Sequence, residues 1–264
     1  MSDLALLYRG PLSSCNYACP YCPFAKRDED RAALDRDRAC LARFVAWVRD
    51  RGPDTTSVFF TPWGEALVRR WYREAVAALS SLPRVRRVAA QTNLSGPVGW
   101  LSRCDAAKVG LWCTYHPGEV DRGRFVRRAL DARGRGARVS VGVVGLREHF
   151  DEIEALRAAL PRDVYVWVNA WQRAPGYYRP DEVARVEAVD PLFRANLRGH
   201  RSLGVACHAG SRALSVDGDG TLRRCHFVAA PLGNLYEGAL DRLPASPQPC
   251  PAAACRCHIG YVHM

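Results

Sequence analysis

From residue 4 to about residue 190 the chain alternates short β-rich runs with amphipathic helical runs, and this alternation limits its possible folds more than any other feature. Strand candidates occupy 4–8, 57–61, 87–92, 107–115, 138–144 and 164–169. Between them, Leu34, Leu41, Phe44, Val45 and Val48 recur at helical spacing up to Gly52, and Ile153, Leu156 and Leu160 do so up to Pro161. Runs such as SVGVVG and VYVWVN are apolar on both faces, which suits parallel strands buried under helices. Six β-then-α units predict an α/β fold whose parallel sheet curls into a partial (β/α)6 TIM-like barrel. Ligand chemistry then belongs at the C-terminal ends of the strands.

The pattern changes after about Asp190. A cysteine-rich tail begins, and its stretch RALSVDGDGTLRRC places Asp-Gly-Asp-Gly between alternating segments, a strong hairpin signal. The expected organisation is a barrel over 1–195 and a small cysteine-rich β-hairpin/α domain over 196–264.

At 264 residues the chain can bury a sizeable core without covalent staples. No apolar run reaches the length of a membrane span, and MSDLALLYRG has no basic leader before an apolar stretch, so a cytoplasmic location is expected. In that reducing compartment eleven cysteines, an odd number, read as metal ligands or catalytic thiols. The net charge of +11 is nearly all arginine. Those arginines are scattered, which fits solvated helix faces better than a nucleic-acid footprint. A zinc-stabilised basic nucleic-acid-binding protein accounts for the charge and the cysteines but leaves six βα units unexplained.

Residues 13 to 24 read SSCNYACPYCPF and place Cys15, Cys19 and Cys22 on a loop just after the first strand. Three thiolates so close can share one metal centre, and an iron-sulfur cubane held by three keeps one iron open for an exogenous ligand. A structural zinc site wants a fourth Cys or His nearby, and the nearest histidine downstream is His116. With Tyr21 as the aromatic before the third cysteine, the loop resembles the signature of the radical S-adenosylmethionine (radical SAM) superfamily. More narrowly, it resembles a bacterial subgroup of short members with a YRGPLSSCNYxCPYCPFAK start.

The resemblance implies a [4Fe-4S] cluster on Cys15, Cys19 and Cys22 that binds S-adenosyl-L-methionine and cleaves it reductively to a 5'-deoxyadenosyl radical. That radical takes hydrogen from the substrate. It further implies that Gly64 and Glu65, in TPWGEAL, bond the methionine amino group, with Trp63 in place of the family's first glycine. Asn93, His116 and Asn169 end strands where ribose, adenine or substrate would lie. A flavodoxin- or ferredoxin-type electron donor is implied as partner, and the membrane as none.

The tail supplies Cys207, Cys225, Cys250, Cys255 and Cys257. It resembles the auxiliary-cluster extensions of the same superfamily, called SPASM with two clusters and twitch with one. Five cysteines suit one further [4Fe-4S] cluster, with Cys207 and Cys225 bracketing the hairpin and Cys250, Cys255 and Cys257 competing for the remaining positions. A zinc ribbon using His208, His226 or His258 is the competing reading. Cys40, Cys104 and Cys113 read as small buried hydrophobes. Because the chain starts at strand one, a small polar metabolite is expected as substrate, undergoing dehydrogenation, epimerisation or related chemistry. Peptide modification is the alternative.

Overall fold

The computed structural model describes residues 4–22, 24, 27–51 and 55–255. Cys257 and His258 lie outside the described residues. The strands are β1 (Leu4–Tyr8), β2 (Thr56–Phe60), β3 (Val85–Thr92), β4 (Val109–Tyr115), β5 (Arg138–Val144) and β6 (Val166–Asn169). They lie side by side in chain order, and every neighbouring pair is parallel. The α-helices are α1 (Arg31–Arg51), α2 (Arg70–Ser80), α3 (Arg122–Gly134), α4 (Phe150–Ala159), α5 (Pro180–Glu187) and α6 (Phe193–Arg198). The chain is thus α/β with a large parallel sheet.

One unit departs from the expected alternation. Between β3 and β4 the chain makes 3-10 turns at Gly99–Arg103 and Ala106–Lys108 and no α-helix. Gly96-Pro97 and Gly99 explain this, since proline removes a helical donor and glycine raises the entropy cost of helix.

The tail adds β7 (His200–Arg201), β8 (Ala206–Cys207), β9 (Ala213–Val216), β10 (Thr221–Arg223), β11 (Pro231–Asn234), β12 (Gln248–Pro249) and β13 (Ala254–Cys255). Strands β9 and β10 form the expected hairpin, with the Asp217 N–H donating to the Thr221 carbonyl at 3.0 Å and Gly220 at φ +92° in the turn. Strand β9 pairs in parallel with β1, and β11 pairs antiparallel with β10, so the hairpin continues the main sheet to nine strands. Among the described residues that sheet is open, with β6 and β11 at its edges. Leu214, Val216 and Leu222 of the hairpin share the hydrophobic core of β1–β6. Two separate two-stranded ladders, β8 with β12 and β7 with β13, carry Cys207 and Cys255.

The two faces of the sheet have different roles. Ala90, Leu111, Cys113, Val141, Val166 and Val168 point into the core shared with the helices. There, Tyr8 stacks on Phe44 of α1 at 4.5 Å, and Phe60 meets Tyr72 of α2 edge-on at 5.6 Å. Asp37, fully buried on α1, accepts hydrogen bonds from Trp71 Nε1 (2.7 Å) and the Tyr72 hydroxyl (3.1 Å) and ties α1 to α2. The alternate residues Gln91, Trp112, Thr114, Gly142, Trp167 and Asn169 face the other way and line a cavity. Among the described residues no helix is long and apolar enough to cross a membrane.

Candidate active site

Cys15, Cys19 and Cys22 all line that one cavity. Tyr21, Gly64, Glu65, Asn93, His116 and Asn169, which come from five separate segments, line it as well. Cys15 is exposed, Cys22 is half-buried and Cys19 is buried.

The cysteine loop is tied down at the ends of several strands. After β2, the Gly64 N–H donates to the Leu12 carbonyl and the Glu65 N–H to the Ser14 carbonyl, both at 3.0 Å. An added Cβ at Gly64 would fall 2.1 Å from the Ser14 carbonyl oxygen, so only glycine allows this approach. After β4, Glu119 accepts from the Ala18 N–H at 2.9 Å. After β6, the Arg173 guanidinium donates to the Cys22 carbonyl at 3.3 Å. The Glu29 carboxylate accepts the N–H groups of Ser13 (3.0 Å) and Ser14 (2.8 Å) and the hydroxyls of both. Arg69 donates to the Ser14 hydroxyl at 2.7 Å. Nothing in the sequence singles out Glu29, because one of three successive carboxylates in the run RDED looks like a solvated surface.

Glu65 is a structural centre of the site. Its carboxylate accepts from the Thr92 hydroxyl (2.7 Å), the Asn93 N–H (2.6 Å) and the Leu67 N–H (3.0 Å). Burial pushes this carboxyl up, against three hydrogen bonds that favour its charged form. Directly after Asn93, Leu94 has φ +53°, a region costly for a side chain with a Cβ. The turn is held by the Leu94 N–H on Thr92 Oγ1 (2.9 Å) and the Ser95 N–H on Asn93 Oδ1 (3.0 Å). It turns the Asn93 amide back onto the cysteine loop, where Nδ2 donates to Asn16 Oδ1 at 3.0 Å and approaches Cys15 Sγ at 3.8 Å.

His116 Nδ1 lies 3.3 Å from Cys19 Sγ and 3.1 Å from the Tyr21 hydroxyl. Burial, and then the neighbouring Cys19, push the Tyr21 phenol up, so it stays protonated at neutral pH. Trp63 and Phe24 also line the cavity, packed edge-on at 5.3 Å, with the Arg9 guanidinium 4.3 Å from the Trp63 ring centre.

The donor set fits an iron-sulfur cluster. Three thiols, the ligand type of such clusters, face one cavity, and the Tyr17 N–H already points at Cys15 Sγ from 3.4 Å. Hydrogen bonds of that kind to sulfur tune cluster potentials. Among the described residues no three His, Cys, Asp or Glu side chains meet as ligands of a single metal ion.

In the tail, Cys207 and Cys225 do not reach this cavity, and neither do Cys250 and Cys255. Cys207 Sγ accepts the Ala209 N–H at 3.4 Å. Burial pushes the Cys225 thiol up, and Cys255 and Cys250 lie near enough to raise it further, while the Phe227 and Val228 N–H groups act in the opposite sense. Cys113 is buried in β4, and Cys40 and Cys104 are half-buried.

No protein family and no curated protein matches this sequence. Solved structures do match its fold. Streptococcus suis SuiB superposes with a TM-score of 0.59 over 90% of this chain at 14% identity. The chain spans 65% of SuiB's length. The enzyme anSMEcpe with bound AdoMet gives a TM-score of 0.59 at 14% identity over 91% of this chain and 77% of its own. The chain has the fold of radical SAM enzymes. In that fold the ends of β1 to β6 surround the cavity, which is where the cysteine loop and the turn at Gly64 and Glu65 meet.

Proposed function

We propose that the chain is a radical SAM enzyme whose cluster is held by Cys15, Cys19 and Cys22. The observation that carries this reading is the convergence of the three thiols, the Gly64-Glu65 turn and Asn93 on one cavity at the strand ends. When bound there, a [4Fe-4S] cluster supplies an open iron for S-adenosyl-L-methionine and an electron for its reductive cleavage to a 5'-deoxyadenosyl radical. The protein's part is positioning. Glu65 and the Gly64 backbone fix the loop on one side, and Asn93, His116 and Asn169 offer hydrogen-bonding groups to the nucleoside and methionine ends. The strand-side wall then receives the substrate whose hydrogen is taken.

Residues 1–195 carry this chemistry in our reading. Residues 196–264 contribute a twitch-like second [4Fe-4S] cluster on Cys207, Cys225, Cys250 and Cys255, with a flavodoxin- or ferredoxin-type protein as reductant in the cytoplasm. A small polar metabolite undergoing dehydrogenation or epimerisation is one substrate reading. A peptide is the second, supported by anSMEcpe, a fold neighbour solved with AdoMet and a bound peptide.

The test is direct. Protein reconstituted anaerobically with iron and sulfide is given S-adenosyl-L-methionine and dithionite, and 5'-deoxyadenosine is measured by chromatography. Its formation is expected. Iron-loaded protein that forms none refutes the assignment.

A further inference from the structure

Resting on that reading, we infer that His116 is a positioning residue for the cluster: its Nδ1–H donates to the Cys19 sulfur and raises the potential at which the cluster is reduced. Nδ1 lies 3.3 Å from Cys19 Sγ, a hydrogen-bond distance for sulfur. Of the three N-terminal thiols Cys19 is the buried one, 4% exposed, and His116 beside it is half-buried.

Ligation decides the direction of this bond. A sulfur bound to iron is a thiolate with no proton to give, so it only accepts. An unprotonated Nδ1 would set its lone pair against that negative sulfur, whereas the tautomer with the proton on Nδ1 donates to it. The ring is held in this attitude by two tyrosines of the cysteine loop. Tyr21 stacks on it with ring centres 5.9 Å apart and planes at 17°, and Tyr17 meets it edge-on at 5.9 Å and 80°. The Tyr21 hydroxyl lies 3.1 Å from Nδ1 and hydrogen-bonds Cys19 as well.

Reduction adds one electron to a cluster, and its negative charge is shared by the sulfur ligands. A donor on such a sulfur stabilises the reduced form more than the oxidised one and so raises the potential. Burial adds to the effect, because a hydrogen bond is stronger where the local dielectric is low. The Tyr17 N–H on Cys15 is a backbone donor that almost any residue at 17 would supply. His116 is a side-chain donor, so the choice of residue at a position 97 removed from Cys19 sets this part of the potential. With Nδ1 engaged by Cys19, Nε2 is the ring nitrogen left for a bound nucleoside.

A redox titration of the anaerobically reconstituted protein, followed by electron paramagnetic resonance without S-adenosyl-L-methionine, tests this. The signal missing from Cys19→Ala identifies the cluster concerned. In His116→Leu its midpoint should fall by at least the equivalent of a tenfold loss in the reduction equilibrium, about 59 mV for one electron. His116→Asn carries an amide N–H the same number of bonds from the backbone as Nδ1 and should recover most of that fall. A role in packing alone would make the two variants alike, since both remove the imidazole ring. If His116→Leu takes up no cluster, wild type grown with isotope-labelled histidine replaces it. Pulsed resonance on the reduced cluster should then show a weak coupling to a histidine nitrogen that is lost in His116→Asn. An unchanged or higher midpoint in loaded His116→Leu, equal shifts in the two variants, or no histidine coupling overturns the inference. Absence of 5'-deoxyadenosine from the loaded wild type strikes the radical SAM reading alone and leaves the measured potentials standing.

Discussion

Gly64 lies so close beneath Ser14 that a methyl group on its Cα would meet the Ser14 carbonyl oxygen at 2.1 Å and the carbonyl carbons of Ser13 and Ser14 at 2.8 Å. The obstructing atoms are all backbone, so no side chain can rotate away to relieve the contact. Gly64→Ala must therefore push the cysteine loop off the end of β2. Overpacking of this kind costs about 1–3 kcal/mol, which should appear as a lower denaturation midpoint. Because Cys15 follows Ser14 directly, iron loading should fall as well. Unchanged stability together with wild-type iron content would show that the loop is not held as described.

A second support of the loop is the Glu29 carboxylate, whose hydrogen bonds from Ser13 and Ser14 respond to pH. Partial burial alone would raise the Glu29 carboxyl, but hydrogen bonds from Ser14 and Ser13 prevail and hold it below its ordinary value of 4.5. A carboxyl lowered in the folded state stabilises the fold fully above its unfolded value, and the contribution is lost as pH falls through the folded one. Glu29→Gln keeps the shape but not the charge. The stability gap between wild type and Glu29→Gln should be widest near neutrality and close as pH falls below about 5. Denaturant unfolding at several pH values measures it, and a gap that widens on acidification contradicts the assignment.

The six parallel strands were legible because each is a short apolar run bounded by a turn or helix signal, a property read within a few residues. The β3–β4 connection departs from the helical unit that the alternation predicts, because Gly96-Pro97 and Gly99 disfavour helix there. The pairing of β9 with β1 had no local signal, since it joins segments about two hundred residues apart through backbone hydrogen bonds that any side chain permits. Sequence distance also hid His116 beside Cys19, 97 positions away. Trp112 and Trp167 look in sequence like ordinary strand aromatics. Only the register across β4, β5 and β6, with Gly142 between them, turns them toward the cavity.

The three N-terminal thiols should be separately necessary, since each would hold a different iron of one cluster. Cys15→Ala, Cys19→Ala and Cys22→Ala should each lose about four irons per chain and form no 5'-deoxyadenosine. The fold should survive, because the loop lies outside the main hydrophobic core and far-ultraviolet circular dichroism reads mainly the helices. A variant that keeps both its iron and its product removes that cysteine from the ligand set.

The tail cysteines set the last expectation. Cys225 sits near Cys250 and Cys255, and the Phe227 and Val228 N–H groups act on its sulfur. Cys207 is placed by the β8–β12 ladder, in which Gln248 pairs with Cys207, and two residues further on the Cys250 N–H donates to the Val205 carbonyl at 2.9 Å. Cys255 is placed independently by pairing with His200. We propose these four as the ligands of the second cluster: backbone pairing places Cys207, Cys250 and Cys255, and Cys225 follows β10 by two residues. Cys257 follows Cys255 by two positions, and an extended backbone would present both side chains on one face, making it the competitor for the fourth place. Reconstituted wild type should hold about eight irons per chain, and Cys207→Ala, Cys225→Ala, Cys250→Ala and Cys255→Ala about four. Saturation of wild type near four irons would remove the second cluster. Loss of the second cluster in Cys257→Ala, with full iron in Cys255→Ala, would transfer the fourth ligand from Cys255 to Cys257.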